Sequence, residues 1–193
     1  MKSDTIAAIA TALSDAGIGI IRISGPEAIA VANRVVVNKK KEHTLKNWQT
    51  HTIHYGFVEE NGTILDEVMV SVMKAPRSYT TEDTVEINCH GGVLLTKRVL
   101  EAVLHAGARM AEPGEFTKRA FLSGRIDLSE AEAVMDLIQA KNQFSMQASI
   151  KQLRGSVAEK VKSLRAALLY EIAFIESCLL YTSPSPRDRT RSR

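Results

Sequence analysis

The sequence holds two cysteines, Cys89 and Cys178, among 193 residues. Two thiols cannot build a disulfide framework or a four-ligand zinc site, so a reducing compartment is the default expectation. Apolar runs are short: none approaches the roughly 18 residues that span a bilayer. The opening Met1-Lys2-Ser3-Asp4-Thr5 leads into a stretch broken by Thr11 and Asp15, too short for a secretory signal. No membrane role is expected, and the chain is assigned to the cytoplasm. No Gly-Lys dipeptide occurs, so the Gly-x-x-x-x-Gly-Lys-Ser/Thr phosphate loop is missing from the sequence. Gly17-Ile18-Gly19-Ile20-Ile21-Arg22 approaches the dinucleotide fingerprint, but an arginine replaces its third glycine and the segment enters a strand. Cys89-His90 resembles a metal pair without further ligands nearby, so no metal site is expected, and no catalytic nucleophile has a placed base.

An excess of one charge is lacking too, once the tail is set aside. The 25 Lys and Arg exceed the 22 Asp and Glu by three. Arg187, Arg189, Arg191 and Arg193 against Asp188 account for all of that excess, and residues 1–177 balance 21 bases with 21 acids. A basic groove therefore cannot be argued from composition. What is present is ordinary for a globular protein, at 45% hydrophobic and 24% charged residues.

Residues 1–118 read as mixed strands and helices. Thr5–Ala10 and Ile18–Ser24 are strand candidates. Ser24-Gly25-Pro26-Glu27 opens a helix to about Val36, with Ser24 or Gly25 at its cap. The Lys39-Lys40-Lys41 cluster reads as a solvated loop. Strands at His51–Glu59 and Ile64–Met73 flank Asn61-Gly62, a strong hairpin signal. Thr84–Asn88 is a further strand, and His90-Gly91-Gly92 turns it into a helix over Val93–His105, with Gly107 at the C-terminal cap. Pro113-Gly114-Glu115 begins a loop entering a helix, and suggests a lid or hinge.

Residues 119–177 read as helical. Ser129-Glu130-Ala131-Glu132 is a capping box opening a helix to about Ala140. Ile150, Leu153, Val157, Val161, Leu164, Leu168, Ile172 and Ile175 then recur at steps of three and four, the period of one amphipathic helix. Such a stripe needs a bundle core or a dimer seam. Residues 178–193 are Ser/Pro/Arg-rich without periodicity; they resemble translated sequencing-adapter read-through and are read as a non-native, disordered tail. The fold class expected is α+β, a mixed sheet-and-helix domain followed by the first helices of a bundle.

Three charges interrupt apolar or turn contexts. Arg22 stands within Ile20-Ile21-Arg22-Ile23, and an unpaired buried guanidinium is costly. Glu86 stands within Val85-Glu86-Ile87, where a carboxylate on a rigid strand can accept two hydrogen bonds from an amidine-like ring edge, as a pterin or purine presents. Arg125 follows Gly124 in a turn, where it could clamp a carboxylate or phosphate. An edge-strand charge or a surface salt bridge explains each as well. His90-Gly91-Gly92 could admit an anion at a helix start, or be a plain tight turn.

Six stretches in order carry a family resemblance: Asp4–Thr11, Gly19–Pro26, Ala75–Thr80 with Glu82-Asp83, Val85–Gly92, Glu112–Leu122 and Arg125–Ala133. Together they resemble the N-terminal part of the bacterial tRNA-modification GTPase family MnmE, also called TrmE, over residues 1 to about 177. The family often has Pro-Pro-Gly-Arg-Gly-Gly where this chain has Ala12–Gly17. The resemblance implies a folate-binding, dimerising N-terminal domain related to aminomethyltransferases, with a helical domain beginning after about residue 118. It implies a tetrahydrofolate one-carbon donor, 5-formyl or 5,10-methylene, contacted by Arg22, Glu86 and Arg125. It also implies a homodimer, a flavin-dependent partner MnmG, and modification of the wobble uridine C5 in tRNA. GTP, magnesium and potassium belong to a GTPase domain that this sequence is expected to stop short of. The rival expectations are a ligand-free dimerisation scaffold and a stand-alone one-carbon transferase.

Overall fold

The computed structural model describes residues 4–182. They divide into two units, one ending at Ile126 and the other starting at Asp127. The expected change of character lay near residue 118, within a helix of the first unit.

In the first unit, period-two alternation builds a seven-stranded mixed sheet. Its strands are β1 (Ile6–Ile9), β2 (Ile18–Ser24), β3 (Val36–Val37), β4 (Thr52–Glu60), β5 (Thr63–Met73), β6 (Thr84–His90) and β7 (Arg109–Met110). The order is β3-β4-β5-β6-β2-β1-β7, and β7 alone runs parallel to its neighbour. The β4–β5 hairpin turns on Asn61 (φ 51°) and Gly62 (φ 82°), the two left-handed residues that a two-residue turn matching strand twist requires. β6 extends two residues past the expected Asn88, because β2 pairs with it from Ser24 back to Ile18. β3 and β7, at two residues each, are too short to leave a period in the sequence.

Helices α1 (Ala28–Val35) and α2 (Val93–His105) cover one face of this sheet. Ile21, Ile23, Val70, Val72, Val85 and Ile87 meet Val31, Val99 and Val103 there, all buried. Each such side chain is worth ~1.5–3 kcal/mol of transfer free energy. Helix α1 starts at Ala28 rather than at Pro26, with no side-chain cap. Ser24, one of the two expected caps, bonds instead with Thr80 at 2.6 Å and donates to Glu82 at 3.0 Å, and the cap position falls on Glu27. Helix α3 (Glu115–Leu122) follows the Pro113-Gly114 turn.

The opposite sheet face carries no helix of the α1–α2 layer. Direct pairing places Ile53, Ser71, Glu86, Arg22 and Ala8 in one row across it, and Tyr55, Met69, Asn88 and Ile20 in the next. Ile53 (61%), Tyr55 (51%), Met69 (52%) and Ile18 (62%) stand exposed.

The second unit is helical: α4 (Leu128–Gln139), α5 (Gln143–Leu153) and α6 (Ser156–Thr182). The capping box lies two residues earlier than expected. Asp127 Oδ1 accepts from Glu130 N at 2.8 Å and Glu130 Oε2 from Asp127 N at 2.8 Å, while Ser129 donates to Asp127 and so lies inside the helix. The continuous stripe is also interrupted. Gly155 (φ 78°) ends one helix and frees the next, leaving Ile150 and Leu153 on α5. On α6 the remaining stripe, from Val157 to Ile175, is exposed. The helix continues through residues 178–182; the rest of the expected tail, 183–193, lies outside the described residues.

One glycine tests the packing of the first unit. A Cβ on Gly91 would stand 1.8 Å from the Ala16 carbonyl oxygen, whereas one on Gly17 meets nothing within 4 Å. Gly91→Ala should therefore cost at least ~1–3 kcal/mol in urea unfolding, and Gly17→Ala little. Equal midpoints for the two variants would contradict the described approach of these backbones.

Candidate functional site

Arg22 on β2 and Glu86 on β6 are direct cross-strand partners. Two flanking apolar positions on each strand face the α1–α2 layer, so both charged side chains are directed to the open face. There they form an ion pair. Arg22 Nε donates to Glu86 Oε1 at 2.8 Å, and Nη2 reaches the same oxygen at 2.8 Å. Both contacts fall on Oε1, and Oε2 takes no hydrogen bond among the described residues. The side chains keep 33% and 22% of their exposure, so the pair borders solvent. The Phe116 ring of α3 has its centre 5.7 Å from the Arg22 guanidinium carbon, a cation–π contact.

Arg125 is not in contact with this pair. It follows Gly124, whose φ of 75° makes the turn after α3. Its Nη1 donates to the Tyr79 carbonyl at 2.9 Å and its guanidinium lies 5.1 Å from the Tyr79 ring centre. Tyr79 is in turn joined to α3, its hydroxyl 3.1 Å from Thr117 Oγ1. Consecutive residues of one helix, Phe116 and Thr117, thus touch Arg22 and the Tyr79 that carries Arg125. Beside Arg125 opens a cavity of about 360 Å³, lined by His51, Met73, Pro76, Arg77, Ser78 and Tyr79 as well.

What holds α3 against the sheet is an ionic cluster that sequence reasoning missed. Arg119, 12% exposed, bonds to Glu82 at 3.1 Å, Asp4 at 2.8 Å and Glu115 at 3.0 Å. It also donates to the Asp4 carbonyl at 2.8 Å. Arg109 completes the ring through Asp4 at 2.6 Å and Glu115 at 2.7 Å. Glu115 stands in the first turn of α3, where it also accepts from Glu112 N at 2.8 Å. The other members of the cluster, Asp4, Glu82 and Arg109, carry no spacing signal. The Arg109 guanidinium beside them holds both the Asp4 and the Glu115 carboxyl down to about 2.

His90 and Cys89 are each bonded within the first unit. The Asp66 carboxylate accepts from His90 N at 2.7 Å and lies 2.8 Å from Nδ1, which raises the imidazole above its ordinary value. Burial raises the Cys89 thiol, which donates to the Gly19 carbonyl. Among the described residues no group of three His, Cys, Asp or Glu side chains could hold a metal ion. Gly91 of the His90-Gly91-Gly92 turn is where Ala16 passes close.

Comparison with known proteins adds an independent line. The family model described as the GTP-binding protein TrmE N-terminus matches residues 5–125, and that of the MnmE helical domain matches residues 128–188. The tRNA modification GTPase MnmE of Lachnoclostridium phytofermentans is 58% identical over 179 residues, 93% of this chain and 39% of the relative. Those of Listeria welshimeri and Carboxydothermus hydrogenoformans are 53% and 51% identical, over 91% and 94% of this chain and 38% and 40% of the relatives. The chain spans about two-fifths of the length of the curated relatives it matches.

Acid should loosen the α3 clamp in a defined window. The ordinary Glu value is 4.5 and the folded Glu115 value about 2, so its contribution is full above 4.5 and fades toward 2. Urea midpoints measured across that window should fall steeply for the wild type and less steeply for Glu115→Gln. Parallel slopes would remove Glu115 from the account.

Proposed function

The chain belongs to the MnmE (TrmE) family, as the N-terminal and helical-domain part of a tRNA modification GTPase, and from that premise we propose that its first unit binds a reduced folate and forms a homodimer. The observation that carries the folate reading is the Arg22–Glu86 pair: one carboxylate oxygen is fixed by the arginine and the other has no partner among the described residues. A strand-held carboxylate of that kind suits the paired N–H donors of a pterin edge, as the charge makes each bond stronger than a neutral one. Bound there, a 5-formyl or 5,10-methylene tetrahydrofolate would supply the one-carbon unit for tRNA modification.

The residues of this chain divide that work. Glu86 accepts from the heterocycle and fixes its orientation. Arg22 holds one oxygen of Glu86 and limits its rotation. Phe116 shields the pair from water on the helix side, and Arg125 meets the anionic part of the ligand. Homodimerisation is supported by Ile18, Ile53, Tyr55 and Met69 exposed together on a sheet face that no helix of the α1–α2 layer covers. Exposed apolar surface of that kind marks an interaction site, and a second copy presents the same surface to it.

The remaining activity of the family, GTP hydrolysis with magnesium and potassium, is proposed for the longer protein, since this sequence carries no phosphate-binding loop. So are the partnership with MnmG, the modification of the wobble uridine and action in the cytoplasm. No helix among the described residues is long and apolar enough to cross a membrane.

Two measurements test the reading. Titrated with 5-formyltetrahydrofolate, the chain should bind, and Glu86→Ala should bind ~10–100-fold more weakly, the loss expected for charged hydrogen bonds. Unchanged affinity in that variant would refute the site. Light scattering should give twice the 21.2 kDa chain mass. Met69→Glu, which places a charge in the open face, should shift that mass toward one chain. A dimer indifferent both to folate and to this substitution would favour a scaffold built on another surface.

A further inference from the structure

The first unit holds seven arginines, and five of them, Arg22, Arg34, Arg98, Arg109 and Arg119, are engaged by carboxylates. The other two, Arg77 and Arg125, have no acidic partner among the described residues, and both line the same cavity of about 360 Å³. No Asp or Glu lines it with them; the other walls are His51, Met73, Pro76, Ser78 and Tyr79. The acids nearest in sequence are engaged elsewhere: Glu82 pairs with Arg119 at 3.1 Å, Asp83 accepts from the Ala75 N–H at 2.8 Å, and Asp127 accepts from Glu130 N at 2.8 Å. Two guanidinium groups left without counter-charges around one hollow repel each other, and a bound anion relieves that repulsion.

The hollow is also correctly placed. Met73, one of its walls, stands two residues along β5 from Ser71, and Ser71 is the direct cross-strand partner of Glu86. Two strand residues span ~7 Å. A heterocycle held at Glu86 can therefore send its tail toward Arg125 and Arg77 along the same sheet face.

We propose that this cavity seats the carboxylate tail of the folate and selects tails carrying several glutamates, with Arg77 as the specificity-determining residue. The inference rests on the folate reading above and adds to it a preference among folates. A monoglutamate tail brings two carboxylates, and a triglutamate tail brings two more. Arg125 meets the first of them, and Arg77, the other cation of the lining, meets those added. Arg77 is exposed and on a loop, so replacing it leaves the core intact.

The test is a pair of titrations of the whole chain, with 5-formyltetrahydrofolate as the monoglutamate and as the triglutamate. The triglutamate should bind about tenfold more tightly, one charged pair's worth. Arg77→Gln should reduce that ratio to about two, and Arg77→Lys should restore part of it. Lys97→Gln, on α2 behind the sheet, removes the same charge and should leave the ratio as it was. Equal binding of the two folates by the wild type overturns the tail site while leaving the pterin site standing. So does a ratio that survives Arg77→Gln, or one that falls as far in Lys97→Gln. Binding of neither folate overturns the folate reading, and this inference with it.

Discussion

The arrangement of the first unit depends on one guanidinium. Arg119 sits almost out of solvent and joins the chain entry at Asp4, the loop at Glu82 and its own helix at Glu115. Those three segments are far apart in sequence and share no strand pairing that would otherwise fix α3. Taking Arg119 away removes the cation that three carboxylates share and leaves Arg109 to hold two of them, a loss of the kind that typically costs ~3–5 kcal/mol. The position of α3 decides in turn where Phe116 meets Arg22 and where Thr117 meets Tyr79. An ionic cluster outside the candidate site thus sets the distance between the two parts of that site.

This separation explains what was legible beforehand. Arg22 and Glu86 stood out because each breaks an apolar strand, and a charge on a strand that buries its other face has to emerge on the open one. Their mutual contact could not be read, since it depends on β6 lying beside β2 and on a register fixed 64 residues apart. Arg125 was visible as a cation after a turn glycine. Its partner Tyr79 was not, because a backbone carbonyl and a ring face leave no mark in a sequence. Arg77 passed unnoticed for the same reason: only the absence of nearby acids in three dimensions distinguishes it.

The helices show the same limit in another form. Period alone extended one stripe from Ile150 to Ile175, since residues on either side of a one-glycine break keep their apolar spacing. Gly155 at φ 78° decides otherwise, through a conformation that other residues adopt only under strain. The box at α4 was displaced for a chemical reason, as Asp127 and Ser129 can both cap and only the carboxylate also receives the serine hydroxyl. The hairpin was clear because Asn61-Gly62 encodes its turn locally, without help from the rest of the chain.

The near-neutral charge of residues 1–177 can now be given a spatial meaning. Net charge acts at a distance through the summed field, and here the sum is zero, so steering of a polyanion toward this part of the chain has no source in it. Recognition then has to come from local imbalance. Five of the first unit's arginines are already answered by carboxylates and contribute almost no field beyond their own contacts. Among the arginines of this unit, the imbalance is confined to Arg77 and Arg125 around one hollow. A site of that kind favours a small ligand with closely spaced carboxylates over an extended phosphate backbone, which needs many cations along its length.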